Sequence, residues 1–422
     1  MAAPRASWQQ VVASLGEQKR RGRQELKTVD YNVAISGCGR HRQWQWVPLI
    51  LAAMQQRQVH QSVVTYNAAI DAYARGARWE AAVASLEEMR SGRLAADAIS
   101  YSAAASACAR ARRWQAALGL LPDMRQRLVA PDEIAYSAAI SACATGGRWR
   151  EALALVGEML CGRLAPNVIS CSAAISACEK GERWQEAVGM LREMGQRQFE
   201  QDVISYSAVV SACEKGERWQ DAVSIFYEMC MRHVAPDMVS YNAVVSACAK
   251  GAQWQEAFNM LCEMRQHQYI PDVISYSAAI DACEKTGRWE EGLATLSGMR
   301  QWRVAPDTIT YNAAISACAK GAQWQLALGV LGNMQHQQLL PVVNSYNAAI
   351  TACEKAARWQ EALSMLFEMR QRRLRRDLAI CSAAISACER SGAVTPLETI
   401  GTLAETVCGF SQGFLKESLR TP

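Results

Sequence analysis

Apolar positions recur along this chain with a period of 35 residues. Trp44, Trp79, Trp114, Trp149, Trp184, Trp219, Trp254, Trp289, Trp324 and Trp359 keep that step, and a methionine series from Met54 and Met89 to Met369 follows it. A representative stretch, 203–237, reads VISYSAVVSACEKGERWQDAVSIFYEMCMRHVAPD. In its first half Tyr206, Val210 and Cys213 fall at i, i+4 and i+7, the spacing of one helix face. Lys215 and Gly216 close that helix, because a cation and a glycine suit a helix C-terminus. A second helix starts near Trp219 and sets Ala222, Ile225, Phe226 and Met229 on one face. Pro236 then stops the helix and Asp237 can cap the next one. Eleven units begin at Thr28, Val63, Ala98, Glu133, Val168, Val203, Met238, Val273, Thr308, Val343 and Leu378, with no insertion between them. Two short helices cannot bury their faces alone, so neighbouring units must stack. The pattern predicts an all-α fold over 28–390, a right-handed α-solenoid superhelix of helix-turn-helix repeats. Residues 1–27 are expected to form an N-terminal cap, in which 8–26 resemble a second helix without its partner. The last repeat is partial, and 391–422 read as an irregular C-terminal cap.

Composition changes this picture little. Half of the residues are hydrophobic and 20% are charged, and the net charge is +5. A nucleic-acid partner is permitted by that balance but not required by it. The 16 cysteines include ten at one phase of the repeat, from Cys38 and Cys108 to Cys388, and no C-x-x-C pair. They fit small buried hydrophobes in a reducing compartment better than zinc ligands or disulfides. No run of 18 apolar residues exists, so no membrane span is expected. Glu17 and Glu25 dilute the basic N-terminus, which therefore gives no clear transit peptide.

The unit V-I-S-Y-[NS]-A-x-I-S-A-C-x-K-G-x-x-W-x-x-A…M…P-D resembles the pentatricopeptide repeat family across residues 28 to about 390. Tryptophan stands here where that family more often has leucine. The resemblance implies binding of single-stranded RNA, one base per repeat, and residence in a mitochondrion or plastid. It also implies that each base is chosen by a polar residue early in the first helix together with the last residue of the unit. The early slot holds Asn32, Asn67, Ser102, Ser137, Ser172, Ser207, Asn242, Ser277, Asn312, Asn347 and Ser382. The last slot holds Ser62, Asp97, Asp132, Asn167, Asp202, Asp237, Asp272, Asp307, Val342 and Asp377. A branched apolar series (Val29, Val64, Ile99, Ile134, Ile169, Ile204, Val239, Ile274 and Ile309) would sandwich bases between repeats.

These residue types suit that chemistry. Ser leaves room for a purine, whereas the longer Asn amide fills the gap beside a pyrimidine. Asp only accepts hydrogen bonds, which suits the N–H groups of guanine or uracil, while Asn167 can also donate, which suits adenine. Carried over, the units spell roughly pyrimidine-U-G-A-G-G-U-G-pyrimidine-U from 5′ to 3′. Val342 cannot hydrogen-bond through its side chain, and Asn344 interrupts the apolar series. A basic residue ends the first helix at Arg40, Arg75, Arg110, Lys180, Lys215, Lys250, Lys285, Lys320, Lys355 and Arg390. Stacked, this series could follow a phosphate backbone.

Each feature also has a plainer explanation. The last-slot Asp residues can be N-caps, the early slot a solvated or packing polar position, and the apolar series inter-repeat core. The basic residues can answer the helix dipole. Tryptophan and methionine stripes are more often core than base platforms. Glu179, Glu214 and Glu284 are expected to be solvated. No cofactor, metal site or catalytic motif is read from the chain, and its five histidines are scattered. The expected activity is that of an RNA-binding adaptor that works with RNA-processing enzymes. The competing class is a protein-interaction scaffold of the tetratricopeptide type.

Overall fold

In the computed structural model, residues 27–391 are described, apart from 373 and 375–377. Both expected terminal caps fall outside the described residues, save for Lys27 and Ser391. The chain divides into two units, Met1–Gly216 and Glu217–Pro422. In the first, the odd-numbered helices are α1 (Thr28–Arg40), α3 (Val63–Arg75), α5 (Ala98–Arg110), α7 (Glu133–Thr145), α9 (Val168–Lys180) and α11 (Val203–Lys215). They alternate with α2 (Val47–Gln56), α4 (Trp79–Ser91), α6 (Trp114–Gln126), α8 (Trp149–Cys161) and α10 (Trp184–Gln196). The second unit has α12 (Trp219–Met231), α14 (Trp254–Gln266), α16 (Trp289–Gln301), α18 (Trp324–His336) and α20 (Trp359–Gln371). These alternate with α13 (Met238–Lys250), α15 (Val273–Thr286), α17 (Thr308–Lys320), α19 (Val343–Lys355) and α21 (Leu378–Arg390). Within each unit every odd helix packs on the next odd helix, α2 lies against α1, α12 lies against α13, and each other even helix lies against the odd helices before and after it. The chain is an all-α solenoid.

Every odd helix begins at the residue the period predicts, and every complete even helix begins at its tryptophan. The first repeat alone departs. There a short 3-10 turn at Trp44–Trp46 precedes α2. Pro48 explains it: proline has no N–H to donate to the Trp44 carbonyl four residues back, so the α ladder cannot start at the tryptophan.

The core follows the predicted stripes. Tyr206, Val210 and Cys213 are fully buried, as are Ala222, Phe226 and Met229, with Ile225 nearly so. The ten in-phase methionines are buried, as are the ten in-phase cysteines. Burial pushes the Cys108 and Cys143 thiols up to about 11, and Cys178, Cys248 and Cys283 to about 12. At neutral pH they are therefore protonated and poor nucleophiles.

The tryptophans depart from the methionines: all ten are only half-buried. Their indoles instead reach forward to the next repeat. There they lie against the glycine after the odd helix, as Trp149 does at Gly181 and Trp289 at Gly321. In most repeats an arginine two residues beyond closes over the other side. Arg78 sits 4.5 Å from the Trp44 ring centroid, Arg148 4.5 Å from Trp114, and Arg183 4.7 Å from Trp149.

The glycines close the odd helices as expected, but not through a left-handed backbone. Gly181 has φ −85°, Gly216 −81° and Gly321 −79°, none of them left-handed. The left-handed residue is the next one, such as Glu182 (φ 56°) or Ala322 (φ 56°). Glycine is needed because a Cβ on Gly181 would overlap Cδ1 of Trp149. Where Ala111 takes the glycine's place, the corresponding Arg113 lies farther from its ring, 5.4 Å from Trp79.

Candidate nucleic-acid interface

The last-slot residues stand directly before the odd helices, and nearly all of them cap. The Oδ1 atoms of Asp97, Asp132, Asp202, Asp237, Asp272 and Asp307 accept from the N–H three residues on at 2.8–2.9 Å, and that of Asn167 at 2.7 Å. Ser62 does the same through its hydroxyl. One face of each carboxylate is thus spent on folding, and the other oxygen remains for a second partner.

Val342 breaks the series and gives α19 no side-chain cap. An N-cap is worth about 1 kcal/mol. Val342→Asp is therefore expected to slow hydrogen exchange of the first-turn amides of α19 about fivefold. Unchanged exchange would show that the Ser345 hydroxyl, which accepts from the Val342 N–H at 3.1 Å, already serves that end.

In two repeats with Asn at the early slot, that residue meets the last slot of its own repeat. The Asn67 amide donates to both carboxylate oxygens of Asp97 at 3.2 and 3.4 Å, and Asn242 does the same to Asp272 at 3.4 and 3.2 Å. The amide oxygens accept from hydroxyls that sequence reading passed over. Ser100 donates to Asn67, Ser275 to Asn242 and Ser345 to Asn312, each at 2.5 Å. Those serines are fully buried, three residues beyond the cap. Their recurrence at one phase of the repeat was the available signal.

Burial raises the pKa of Asp97, but hydrogen bonds from Ser100 and Asn67 outweigh it, and the net shift is downward. In repeats with Ser at the early slot the hydroxyl turns inward. Ser102, Ser172, Ser207 and Ser277 donate to the carbonyl three residues back in their own helix. Ser137 instead donates to the Glu133 carbonyl and pairs with the Ser170 hydroxyl, while Asn167 donates to the Glu133 carboxylate. Asn thus engages the cap carboxylate and Ser leaves it open, so the slot takes two distinct geometries. In the first repeat Asn32 has a buried amide oxygen with no partner among the described residues. The Thr65 hydroxyl that could answer it pairs with Ser62. The expected partner of Asn347, Asp377, lies outside the described residues.

The branched apolar series is not inter-repeat core. Val29, Val64, Ile99, Ile134, Ile169, Ile204, Val239, Ile274 and Ile309 are all 61–69% exposed. Nine aliphatic side chains at one phase of the repeat, each held in water, have no folding explanation, because burying them would be favourable by about 1.5–3 kcal/mol apiece. The second unit shows what they border: a groove of about 910 Å³ lined by Ile274 and Ile309, by Ser277, Asn312 and Asn347, and by Lys250, Lys285, Lys320 and Lys355. Early-slot, branched apolar and basic residues thus line one cleft, whereas the last-slot Asp272, Asp307 and Val342 are not among the residues lining it. Asn344 continues the series there as an exposed polar side chain.

The basic series is less free than expected. Arg75 pairs with Asp71 at 2.9 Å and Lys285 with Asp281 at 3.0 Å, each one turn back on its own helix. Arg110 donates to the Ala74 carbonyl of the preceding repeat. Glu179 and Glu284 are not merely solvated. They reach the lysine 36 residues on, Glu179 to Lys215 at 3.0 Å and Glu284 to Lys320 at 3.7 Å, and Glu354 reaches Arg390 in the same way at 3.6 Å. The reason is stacking: the ends of successive odd helices lie side by side, so the residue before one lysine faces the lysine of the next repeat. Lys180 and Lys355 follow repeats that carry Ala144 and Ala319 at that position, and neither has a carboxylate partner among the described residues.

Comparison with known proteins agrees with this architecture. The PPR repeat family profile matches residues 201–250, 236–285 and 271–320. A PPR repeat profile matches 64–94, 99–127, 134–163, 169–199, 309–339 and 344–374. The chain belongs to the PPR repeat family. No curated protein sequence matches it. Among solved structures, the pentatricopeptide repeat protein PPR10 in complex with an 18-nt psaJ RNA element is 22% identical, with a TM-score of 0.60 over 86% of this chain and 58% of that one. PPR10 from maize, crystallised as the protein itself, is 20% identical with a TM-score of 0.54 over 95% of this chain and 61% of that one. The chain thus spans about three-fifths of the length of these PPR proteins, and at this identity the likeness concerns the fold. Among the described residues no helix is long and apolar enough to cross a membrane.

Proposed function

We propose that this PPR protein binds single-stranded RNA, one base per repeat, through the face of its odd helices that carries the exposed aliphatic series and, in the second unit, lines the cleft. The exposed aliphatic series carries the reading. Flat bases inserted between successive branched side chains would remove from water the apolar surface that folding leaves exposed. The early and last slots beside it supply hydrogen-bonding groups at a base edge, and the unpaired lysines supply charge for phosphates. The order of slots reads as roughly pyrimidine-U-G-A-G-G-U-G-pyrimidine-U, with the N-terminal repeats at the 5′ end. The complex of PPR10 with an RNA element supports the class of ligand. We further propose that the chain is an adaptor in organellar RNA metabolism, in a mitochondrion or plastid, acting by occupying RNA and bringing RNA-processing enzymes to it.

The test is a titration of the whole chain with the fluorescent decamer, a scrambled decamer and the equivalent DNA. Binding that weakens tenfold or more on scrambling, about 1.4 kcal/mol, is the expected result. Equal affinity for all three would remove the base-by-base correspondence and favour a protein ligand for the cleft.

A further inference from the structure

Resting on the reading that the cleft holds RNA, we propose that Glu179 and Glu284 act as brakes on phosphate binding. By occupying Lys215 and Lys320 they hold down the sequence-independent share of affinity.

Each carboxylate lies one repeat back from the lysine it holds, 3.0 Å for Glu179–Lys215 and 3.7 Å for Glu284–Lys320. Both glutamates keep only 22–24% of their side-chain surface, and both lysines 35–42%. Glu284 also accepts from the Ser316 hydroxyl at 2.9 Å, which fixes it in the wall of the second unit's cleft. A phosphate approaching Lys320 therefore meets a lysine already neutralised and a fixed negative charge beside it. Forming the phosphate contact requires breaking the existing pair, and the displaced carboxylate stays within repulsive range of the phosphate. Lys355 shares that cleft without a carboxylate partner among the described residues, because Ala319 stands where Glu284 stands one repeat earlier.

As folding contacts these pairs are weak, since solvent-accessible ion pairs contribute about 0–1 kcal/mol. Their larger effect falls on a polyanion, for which every available cation counts. The molecule thus contains two kinds of chemically identical lysine. Lys180 and Lys355 engage phosphates directly, while Lys215 and Lys320 do so against an internal competitor. Holding the latter down lowers affinity for any RNA and leaves the base-edge contacts to set which RNA is retained.

The experiment compares the whole wild-type chain with Glu179→Gln/Glu284→Gln, using the decamer and its scramble across a range of salt. A control, Glu87→Gln/Glu290→Gln, makes the same change in net charge on exposed positions of α4 and α16. Release of two lysines should steepen the dependence of log affinity on log salt by about 1.4, given roughly 0.7 per phosphate on a single strand, and raise affinity for both RNAs about tenfold or more near 0.1 M salt. The control should move far less. A cycle with Lys320→Ala removes any general charge effect: that change should matter little in the wild-type background and several-fold more in the Glu284→Gln background. Unchanged affinity and slope in Glu179→Gln/Glu284→Gln, or weaker binding, would overturn the proposal, the latter by showing that the carboxylates orient the lysines for phosphate. A wild-type chain that binds none of the RNAs would overturn the RNA reading itself, whereas a wild type that binds with an unresponsive variant overturns only the brake.

Discussion

Ile274→Ala combined with Ile309→Ala is expected to weaken RNA binding by about 2–4 kcal/mol while leaving the fold as stable as before. Both side chains stand more than three-fifths exposed in the cleft of the second unit, and neither packs in the core. Their loss in the free protein therefore belongs to the class of surface changes worth within about 0.5 kcal/mol. In a complex each would be covered on both sides by bases, and truncation to Ala forfeits about 1–2 kcal/mol of apolar burial per position. The expected result is a dissociation constant raised from about 30-fold to several hundred-fold, with thermal unfolding unmoved. Unchanged RNA affinity in a folded variant would mean that these side chains face some other ligand.

The second large effect concerns stability. Gly321→Val should destabilise the second unit by about 1–3 kcal/mol, the usual cost of forcing extra atoms into a filled space. A Cβ at that position would overlap Cδ1 of Trp289, so the indole must leave its seat or the helix end must shift. Gly329→Ala in α18 is the matched contrast. Nothing lies within 4 Å of the added atom, and the helix interior gains about 1 kcal/mol from losing glycine's flexibility. Urea unfolding of the two variants should therefore move in opposite directions. Equal shifts would show that the indole yields to a side chain at 321 and imposes no demand for glycine there.

Much of this molecule is legible from its period. The starts of the odd helices, the burial of the methionines and cysteines, and the caps all follow from local chemistry repeated in register: an Asp before a helix, an apolar face at helical spacing. What the period conceals is which side chains meet across repeats. Trp184 and Met194 recur equally well, yet the methionines are buried and the tryptophans are seated half-exposed on the following repeat. Nothing within one unit distinguishes them. Gly181 looks like an ordinary helix terminator until its φ of −85° and the indole of Trp149 are seen together. Glu179 looked solvated for the same reason, since its partner lies 36 residues away. The exposure of Ile274 and its kin was equally open from sequence, because a branched aliphatic residue at a helix start suits packing and ligand contact alike.

The reach of these contacts has a consequence for how such a chain can change over evolutionary time. Asn67 meets Asp97 across 30 positions, Ser100 meets Asn67 across 33, and Lys215 meets Glu179 across 36. Each contact depends on what stands one period away and is indifferent to where in the chain that period falls. Duplicating or deleting one whole 35-residue block by unequal recombination would therefore join compatible surfaces at the new seam, and the rest of the molecule would be unaffected. Gain or loss of a single residue would instead misalign the clasp, the cap and the ion pair at once. Lengthening by whole modules is thus an easy genetic step for this architecture, while small insertions within a module are a hard one.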